Sequence, residues 1–528
     1  MTIKQLQSII YKHSFWSIMV LVLLSYTFID PFGNYPINDD WAYARSVYNL
    51  NNGSLAFSDW QAPALIVQTL WATLWTKVFG FSHTILRVST IILAVIGFFY
   101  FYKTLKLSSV SNQSRFWLLL ALCFNPLWYF LSLSFMTDIP ALVMLIIAIY
   151  HYIKPNQQIY LTILFLIFGV LIRQHIIVSG LGLSVHYWLN HKDHKWRAIL
   201  LTFLPLMALL AYEWLLDLYQ LIPKDFANQQ GTIMDKLTNI PGIEELKRFS
   251  VHAYNLLIFL GLAILPLTIS KWKYLKCLNR NQILVGTTLN LLTIGKIITG
   301  KRMLPFTGDL LYSGGFGPII EHDVATHLEN EFSIPLIIIA SLLSFLGITS
   351  LIILIRIIQE QKRTVIYWIL GAFFVFHAIL SINYLSDRYY LTFLPILIIL
   401  IAYSKIEINP LSKWIISVIS IVTVIFSTDY FNHRDARQLG IQHLLDQSIP
   451  HHHIEGGFEY NYWNFFDDPN LIKDETGVKW SSVTDFKYIV SSVIVNEGKV
   501  IKSFDFYHFA SLSHKKMYIQ KVESLILE

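Results

Sequence analysis

For its first 430 residues the chain alternates long apolar runs with short polar breaks, and after that its character changes. Apolar segments lie at about residues 14–30, 84–102, 116–133, 139–153, 158–172, 175–190, 198–219, 251–270, 282–299, 333–357, 364–383, 388–404 and 411–429. A hydrocarbon core of about 30 Å takes roughly 20 apolar residues of helix to cross. The pattern therefore predicts about thirteen membrane spans, several of them short. The 282–299 run is the weakest, because Thr, Asn and Gly interrupt its Leu and Ile. ALIVQTLWATLWTKVFG (64–80) is too amphipathic and aromatic to span and predicts a helix lying at the interface. Beyond residue 430, HLLDQ (443–447) reads as helical, while DFKYIVSSVIV (485–495) and KKMYIQKVESLIL (515–527) read as strands. The predicted architecture is mainly α: a polytopic membrane helix bundle over 1–430, followed by a small extracytoplasmic α/β domain over 431–528.

Composition agrees with this class. Of 528 residues 54% are hydrophobic and only 14% charged, with a mean hydropathy of +0.50, where soluble domains carry about 25% charge. The net charge of +6 would suit a nucleic-acid binder if it formed a basic patch. Here the basic residues fall instead in short loops: KTLK (103–106), HYIKPNQQ (151–158), HKDHKWR (191–197), KWKYLKCLNR (271–280), RIIQEQKR (356–363) and KIEINPLSK (405–413). With thirteen spans these six share one side, which the positive-inside rule makes cytoplasmic. The N-terminus is then cytoplasmic, as a retained signal anchor with no small-x-small cleavage site, and the tail is extracytoplasmic. The expected location is the inner or plasma membrane, with no nucleic-acid partner. Two cysteines, Cys123 and Cys277, make neither a disulfide framework nor a C-x-x-C motif.

This topology collects the chemistry. Asp39, Asp40, Asp138, Arg173, His175, Lys301, Arg302, Asp309, Glu321, His322, Asp323, Asp387 and Arg388 all fall at the outer ends of spans or in outer loops. Two readings stand for the Asp39-Asp40 pair in PINDDWAYARSVYNL (36–50): a helix N-cap, which binds free backbone N–H groups, and a general base. The same choice stands for Asp138 in SFMTDIPALVML (134–145), where Pro140 suits an early helical position. Arg173 in LIRQHIIV (171–178) either snorkels to the interface or holds a phosphate. Trp41, Tyr43 and Trp60 are either interfacial anchors or faces for a sugar. TGKRMLPFTGDLLYSGGFGPIIEHD (299–323) is a Gly-rich loop without the GxxxxGKS/T nucleotide pattern. EHD (321–323) and HHH (451–453) offer weak metal-ligand patterns, and more often such runs are solvent-exposed.

The acidic pair after the first span, FMTDIPAL before the fourth and RYYLTFLPIL at a late span together resemble the GT-C glycosyltransferases. The bacterial protein O-mannosyltransferases and aminoarabinose transferases are the likeness, and GGFGP and GGFEYNYW (456–463) are similar to bacterial members. The resemblance covers the layout of about residues 14–430, and this chain has Asp-Asp where that family usually has Asp-Glu. It implies a sugar on a polyprenyl phosphate as donor and an inverting transfer to an acceptor hydroxyl of a glycan, lipid or protein. Asp39 or Asp40 would be the base, Asp138 would serve the acceptor side or a divalent cation, and Arg388 and Arg173 would bind the donor phosphate. Trp41, Tyr43, His175, Glu321 and His322 would contact sugar or acceptor. No cofactor is certain and the metal question is open. The rival class is a secondary transporter of a small polar solute or lipid-linked sugar. It expects charges inside spans and internal repeats, whereas the spans here are nearly free of charge.

Overall fold

The computed structural model describes residues 2–61, 64–191, 193–228, 242–300, 310, 311, 318, 334–360, 364–380, 386–468, 472–473, 482–483, 486–495 and 498–522. All thirteen apolar segments are helical in it. Among the described residues, five helices are long and apolar enough to cross a membrane: His83–Leu107, Trp196–Leu218, Ile243–Lys276, Ser341–Glu360 and Pro410–Asp446. Two bent pairs raise this to seven. One pair is Lys4–Lys12 with Ser14–Ile29, bent by 96°, and the other is Asn112–Cys123 with Pro126–Ser132, bent by 63°. The second break falls where Asn125 caps the new helix and Pro126 cannot donate a hydrogen bond to the old one.

Of the six remaining apolar segments, 282–299 lies in the 21-residue helix Arg280–Gly300, and the other five are shorter than the sequence pattern implied. Asp138–Ile153, Ile159–Val170, Ile177–Asn190, Val365–Leu380 and Phe393–Tyr403 have 16, 12, 14, 16 and 11 residues. At about 1.5 Å per residue they fall short of a ~30 Å core. Two of them show why this is tolerated. Every residue from Phe393 to Ala402 is buried, as is all of Asp138–Ile153 except Tyr150 and Ile153. A helix that is apolar all round and enclosed by other helices need not match the lipid thickness. The chain is a multi-pass membrane protein built around these short central helices.

The Ile66–Phe79 helix has an inverted pattern. Its polar Gln68, Thr69 and Thr76 are buried, and its Leu70, Leu74 and Val78 are exposed. Gln68 Nε2 donates to the carbonyl of Phe135 at 3.0 Å. This arrangement places the polar side chains inside the bundle and leaves the apolar ones on its outer surface.

At one end of the bundle the basic loops hold one another. Lys271 Nζ donates to Ser404 O at 3.3 Å, the Tyr274 hydroxyl to Glu360 at 3.0 Å, and Ile408 N to Ser114 Oγ at 3.4 Å. At the other end the first loop meets the tail, with Tyr35 bonded to Asp435 at 2.8 Å and Arg45 paired with Asp467 at 2.9 Å.

The composition change at residue 430 falls inside one helix. Pro410–Asp446, 37 residues long, carries on out of the bundle and becomes the first element of the tail. It packs on a four-stranded sheet of order β1-β4-β6-β5, made of β1 (Ile454–Glu455), β4 (Tyr488–Ser491), β5 (Lys499–His508) and β6 (Ser513–Lys521). β1 runs parallel to β4 and the other pairs are antiparallel. A short antiparallel pair, β2 (Ile472–Lys473) and β3 (Ser482–Val483), lies outside that sheet. Gly440 sits so close to Val490 that a Cβ would lie 2.7 Å from its methyl, so the helix meets the sheet through this glycine. The strand expected in 515–527 is β6, and β4 falls within 485–495. β5 was not anticipated, because most of its residues are exposed and Lys, Ser and Asp interrupt its apolar positions.

Candidate active site

The site begins with a buried cation. Arg87, 1% exposed on the His83–Leu107 helix, donates to the carbonyls of Pro31, of Gly33 at 3.1 Å and of Tyr35 at 3.0 Å. Its guanidinium also lies over the rings of Tyr35 and Phe431. These contacts fold the first loop back onto the bundle. Asn38 then takes a left-handed conformation (φ 53°), and its N–H donates to Glu459 at 3.3 Å. The next two residues are Asp39 and Asp40.

They are adjacent in the chain and opposite in role. Neither caps the Asp40–Asn51 helix with its side chain, although Asp39 occupies the N-cap position. Asp40 is 3% exposed. Its Oδ1 accepts from Ile37 N at 2.6 Å, and its Oδ2 accepts from Phe135 N at 3.0 Å. It thereby ties the first loop to the segment that leads into Asp138. Burial pushes its carboxyl up to about 7, with nearby Glu459 acting in the same direction. The Arg87 guanidinium and the two backbone N–H groups pull the other way. Asp39 instead meets side chains: Trp60 Nε1 donates to its Oδ1 at 3.4 Å, and Arg388 Nη2 approaches its Oδ2 at 3.5 Å. The two side chains of that pair are 19% and 13% exposed.

Arg388 is presented by the short 3-10 turn Asp387–Thr392, whose first residue faces away from the cleft. Asp387, 1% exposed, accepts from the backbone N–H groups of Leu310 and Leu311, the latter at 2.8 Å. Ser386 Oγ accepts from Arg388 N at 3.3 Å and from its Nε at 3.5 Å. The guanidinium is thus aimed by its own turn.

A second ion pair stands beside the first. Asp138, in the first turn of its helix, pairs with Arg173, and the side chains are 4% and 10% exposed. The N-cap residue there is Thr137, which makes no side-chain capping bond. Arg173 also lies 5.3 Å over the ring of Tyr389. Asp138, Arg173, His175, Arg388, Tyr389 and Thr392 line one small cleft. Tyr43, 5% exposed, connects the pairs: burial pushes its phenol above the usual range, Asp39 and Asp138 add to this, and Arg388 and Arg173 oppose it.

The structure therefore gathers Asp39, Asp138, Arg173, His175, Tyr43 and Arg388. Asp40 stands behind them, committed to backbone. Trp41 is fully buried and stacks on Tyr462 at 5.1 Å and 15°, with Trp60 and Phe466 packed around it. It serves the packing of the first loop against the tail rather than presenting an open face. Glu321 and His322 lie outside the described residues, as do Lys301, Arg302, Asp309 and Asp323. Sequence reasoning missed Tyr389 and Glu459, although both sit inside quoted motifs, RYYLTFLPIL and GGFEYNYW. Among the described residues no three His, Cys, Asp or Glu side chains gather where they could hold a metal ion. In HHH, His451 Nδ1 is hydrogen-bonded to the Tyr460 hydroxyl at 2.7 Å. Asp39, Asp40 and Asp138 do not converge as a donor set, since Asp40 is held by N–H groups and each of the others faces an arginine.

No family model matches the chain, and no curated protein matches it. Two solved structures are similar to it. One is ArnT from Cupriavidus metallidurans in the apo state, 11% identical, covering 85% of this chain and 83% of that one with a TM-score of 0.40. The other is ArnT from the same organism bound to undecaprenyl phosphate, 11% identical, covering 97% and 98% with a TM-score of 0.41.

Proposed function

We propose that the protein is a membrane glycosyltransferase of the GT-C type that moves a sugar from a polyprenyl-phosphate donor to an acceptor hydroxyl, with inversion. The observation that carries this reading is the pairing of Asp39 with Arg388, an arginine that lines one cleft together with Asp138 and Arg173. A guanidinium held by a long, partly solvated contact exchanges a carboxylate for a phosphate more readily than a closed one does. As the donor phosphate takes over Arg388, Asp39 is released to accept a proton. The acceptor oxygen then attacks the anomeric carbon and its proton passes to Asp39. The bond from that carbon to the phosphate oxygen breaks, and polyprenyl phosphate leaves with its charge balanced by Arg388.

In this scheme Asp39 is the base and Asp40 is a positioning residue. Arg173, with its charge shared by Asp138, is the second cation of the phosphate site, and Tyr43 and His175 border the sugar. No step is routed through a divalent cation. The cleft faces the extracytoplasmic side, with the N-terminus in the cytoplasm and the protein in the inner or plasma membrane. Residues 1–430 form the catalytic unit and 431–528 the outer domain.

The test is release of label from a panel of radiolabelled polyprenyl-phosphate sugars by protein in lipid nanodiscs, with glycan, lipid and protein acceptors supplied. Turnover by the wild type that collapses in Asp39→Asn and Arg388→Ala, with unchanged melting temperatures, supports the reading. Equal turnover in all three proteins removes the site.

A further inference from the structure

The long helix Pro410–Asp446 leaves the bilayer underneath a strand. Trp414, Val418, Ile421 and Ile425 recur every three or four residues and so share one stripe of it. The first three are exposed, which makes this a lipid-facing side of the span. Asp429 and Asn432 continue the same stripe, but there β5 lies over it.

The strand runs down the helix toward the membrane. Phe504 meets His443 at 6.0 Å, Phe506 meets His433 at 5.6 Å, and Asn432 Nδ2 donates to the carbonyl of Tyr507 at 2.8 Å. Asp429, fully buried, then accepts from the N–H groups of Phe509 at 2.5 Å and Ala510 at 2.9 Å. Strand numbers rise as helix numbers fall, so the turn between β5 and β6, residues 509–512, is the end of the hairpin nearest the bilayer. The first span marks the level. Ser14–Ile29 ends just before Pro31, and Arg87 both donates to the Pro31 carbonyl and lies 5.5 Å over the ring of Phe431. Two spans therefore finish at one height, and the turn is fastened there.

Its side chains suit that place. Leu512 N donates to Phe509 O at 3.2 Å and closes the turn. Leu512 is left-handed (φ 49°), a conformation that favours glycine or asparagine, and it is 77% exposed. Phe509 packs edge-on against Tyr507 at 4.7 Å and is still 37% exposed. One exposed leucine on a soluble domain needs no explanation. This one stands at the bilayer surface in a conformation costly for leucine, with a phenylalanine beside it. Lys515 and Lys516 follow in β6, both exposed. Asp505, in register with Lys516, is the one carboxylate that the two strands carry. Apolar side chains at the tip with ammonium groups behind them match the boundary between acyl chains and anionic headgroups.

We propose that the β5–β6 turn is a membrane anchor, with Leu512 and Phe509 entering the leaflet on the tail domain's side and Lys515 and Lys516 binding its anionic headgroups. The tail domain then meets the bilayer at a second place beside the helix that carries it. This inference does not depend on the transferase reading.

The experiment places a nitrobenzoxadiazole label on the full chain in nanodiscs, one copy per disc, with Cys123→Ala and Cys277→Ser removing the native thiols. Leu512→Cys and Ala510→Cys carry the label at the turn. Ile501→Cys carries it at the far end of β5, roughly 20 Å further from the membrane along the helix. Quenching by headgroup-region doxyl lipid and by aqueous iodide is compared in discs of phosphatidylcholine and of equal parts phosphatidylcholine and phosphatidylglycerol. The turn labels are expected to be quenched severalfold more by the doxyl lipid than the label at 501, and more strongly again with phosphatidylglycerol. Lys515→Glu combined with Lys516→Glu is expected to abolish that gain. The label at 510 answers the question even where Leu512→Cys does not fold. Turn labels as open to iodide as the label at 501, or shielded from iodide and doxyl lipid alike, would overturn the proposal. Equal quenching in the two kinds of disc, or a gain that survives the lysine reversals, would overturn it too.

Discussion

Two arginine–carboxylate pairs flank the same short turn, and they are built differently. Arg434 and Glu459, both in the tail domain, meet through two contacts of 2.6 Å, with each side chain 5% exposed, and Glu459 also accepts from the Asn38 N–H of the first loop. Arg388 and Asp39 meet at 3.5 Å through one nitrogen and one oxygen, at 13% and 19% exposure. A closed, desolvated, bidentate pair is a clamp, because removing either member strands a charge. A long, partly wet contact costs little to open and leaves both groups able to change partners. The same two kinds of group therefore form a closed pair in one part of the molecule and a longer, wetter contact in another. What differs is geometry and solvent, not chemical identity. Asp138 and Arg173 stand between these extremes, more buried than the first cleft pair and stacked on Tyr389.

The comparison can be broken in several places. The largest effect is expected from Asp39→Asn, which should lower sugar transfer by roughly a hundred- to ten-thousand-fold while the melting temperature stays put. Steady-state turnover and a thermal melt on the same sample check both halves. Arg388→Ala should cost about a hundred- to a thousand-fold, and Arg388→Lys should recover part of it, as a phosphate-binding role requires.

Glu459→Gln should act the other way round. It leaves Arg434 buried without its carboxylate and should lower stability by about 3–5 kcal/mol, read as earlier proteolysis of the tail domain. A Glu459→Gln protein of unchanged stability would mean that the two pairs are not different in kind.

Asp40→Asn tests the carboxylate that is held by backbone N–H groups. Its carboxyl, pushed by burial from the usual 3.8 up to about 7, keeps a proton in the folded chain that the unfolded chain has already lost. The folded state binds more protons between about pH 4 and pH 7, so stability should fall as pH rises through that window and level off above it. The asparagine variant should lose this slope, which melts taken across the window would reveal. The smallest effect belongs to Asp59→Asn. Its 2.6 Å bridge to Lys224 is exposed at 41% and 80%, and water and salt screen such a pair so that the melting temperature should hardly move.

Much of the fold was legible in the apolar pattern, because helix formation in lipid is a local matter: each backbone group must be satisfied within its own segment. The break at Asn125-Pro126 could be read from the proline alone. The number of helices that truly span could not, since whether a short apolar helix meets lipid or other helices depends on its neighbours. Phe393–Tyr403 reads as a short span from its composition and proves to be an enclosed core element. β5 was missed for a related reason: its stability comes from pairing with β6 along its whole length, from Lys499↔Lys521 to His508↔Ser513, rather than from a buried apolar face.

For the site, hydropathy and the loop charges place the acids and arginines at one end of the bundle, because segment lengths and positive charge act residue by residue. Which of them meet was decided elsewhere. Asp39 and Arg388 are 349 positions apart, and no local rule joins them. Nor does any local rule separate Asp39 from Asp40, identical side chains at successive positions. Tertiary structure separates them: Phe135, 95 positions away, supplies the backbone N–H that holds Asp40, while Trp60 and Arg388 converge on Asp39. Burial and partners are properties of the folded neighbourhood, and these make Asp40 a brace between two backbone segments while Asp39 faces Trp60 and Arg388.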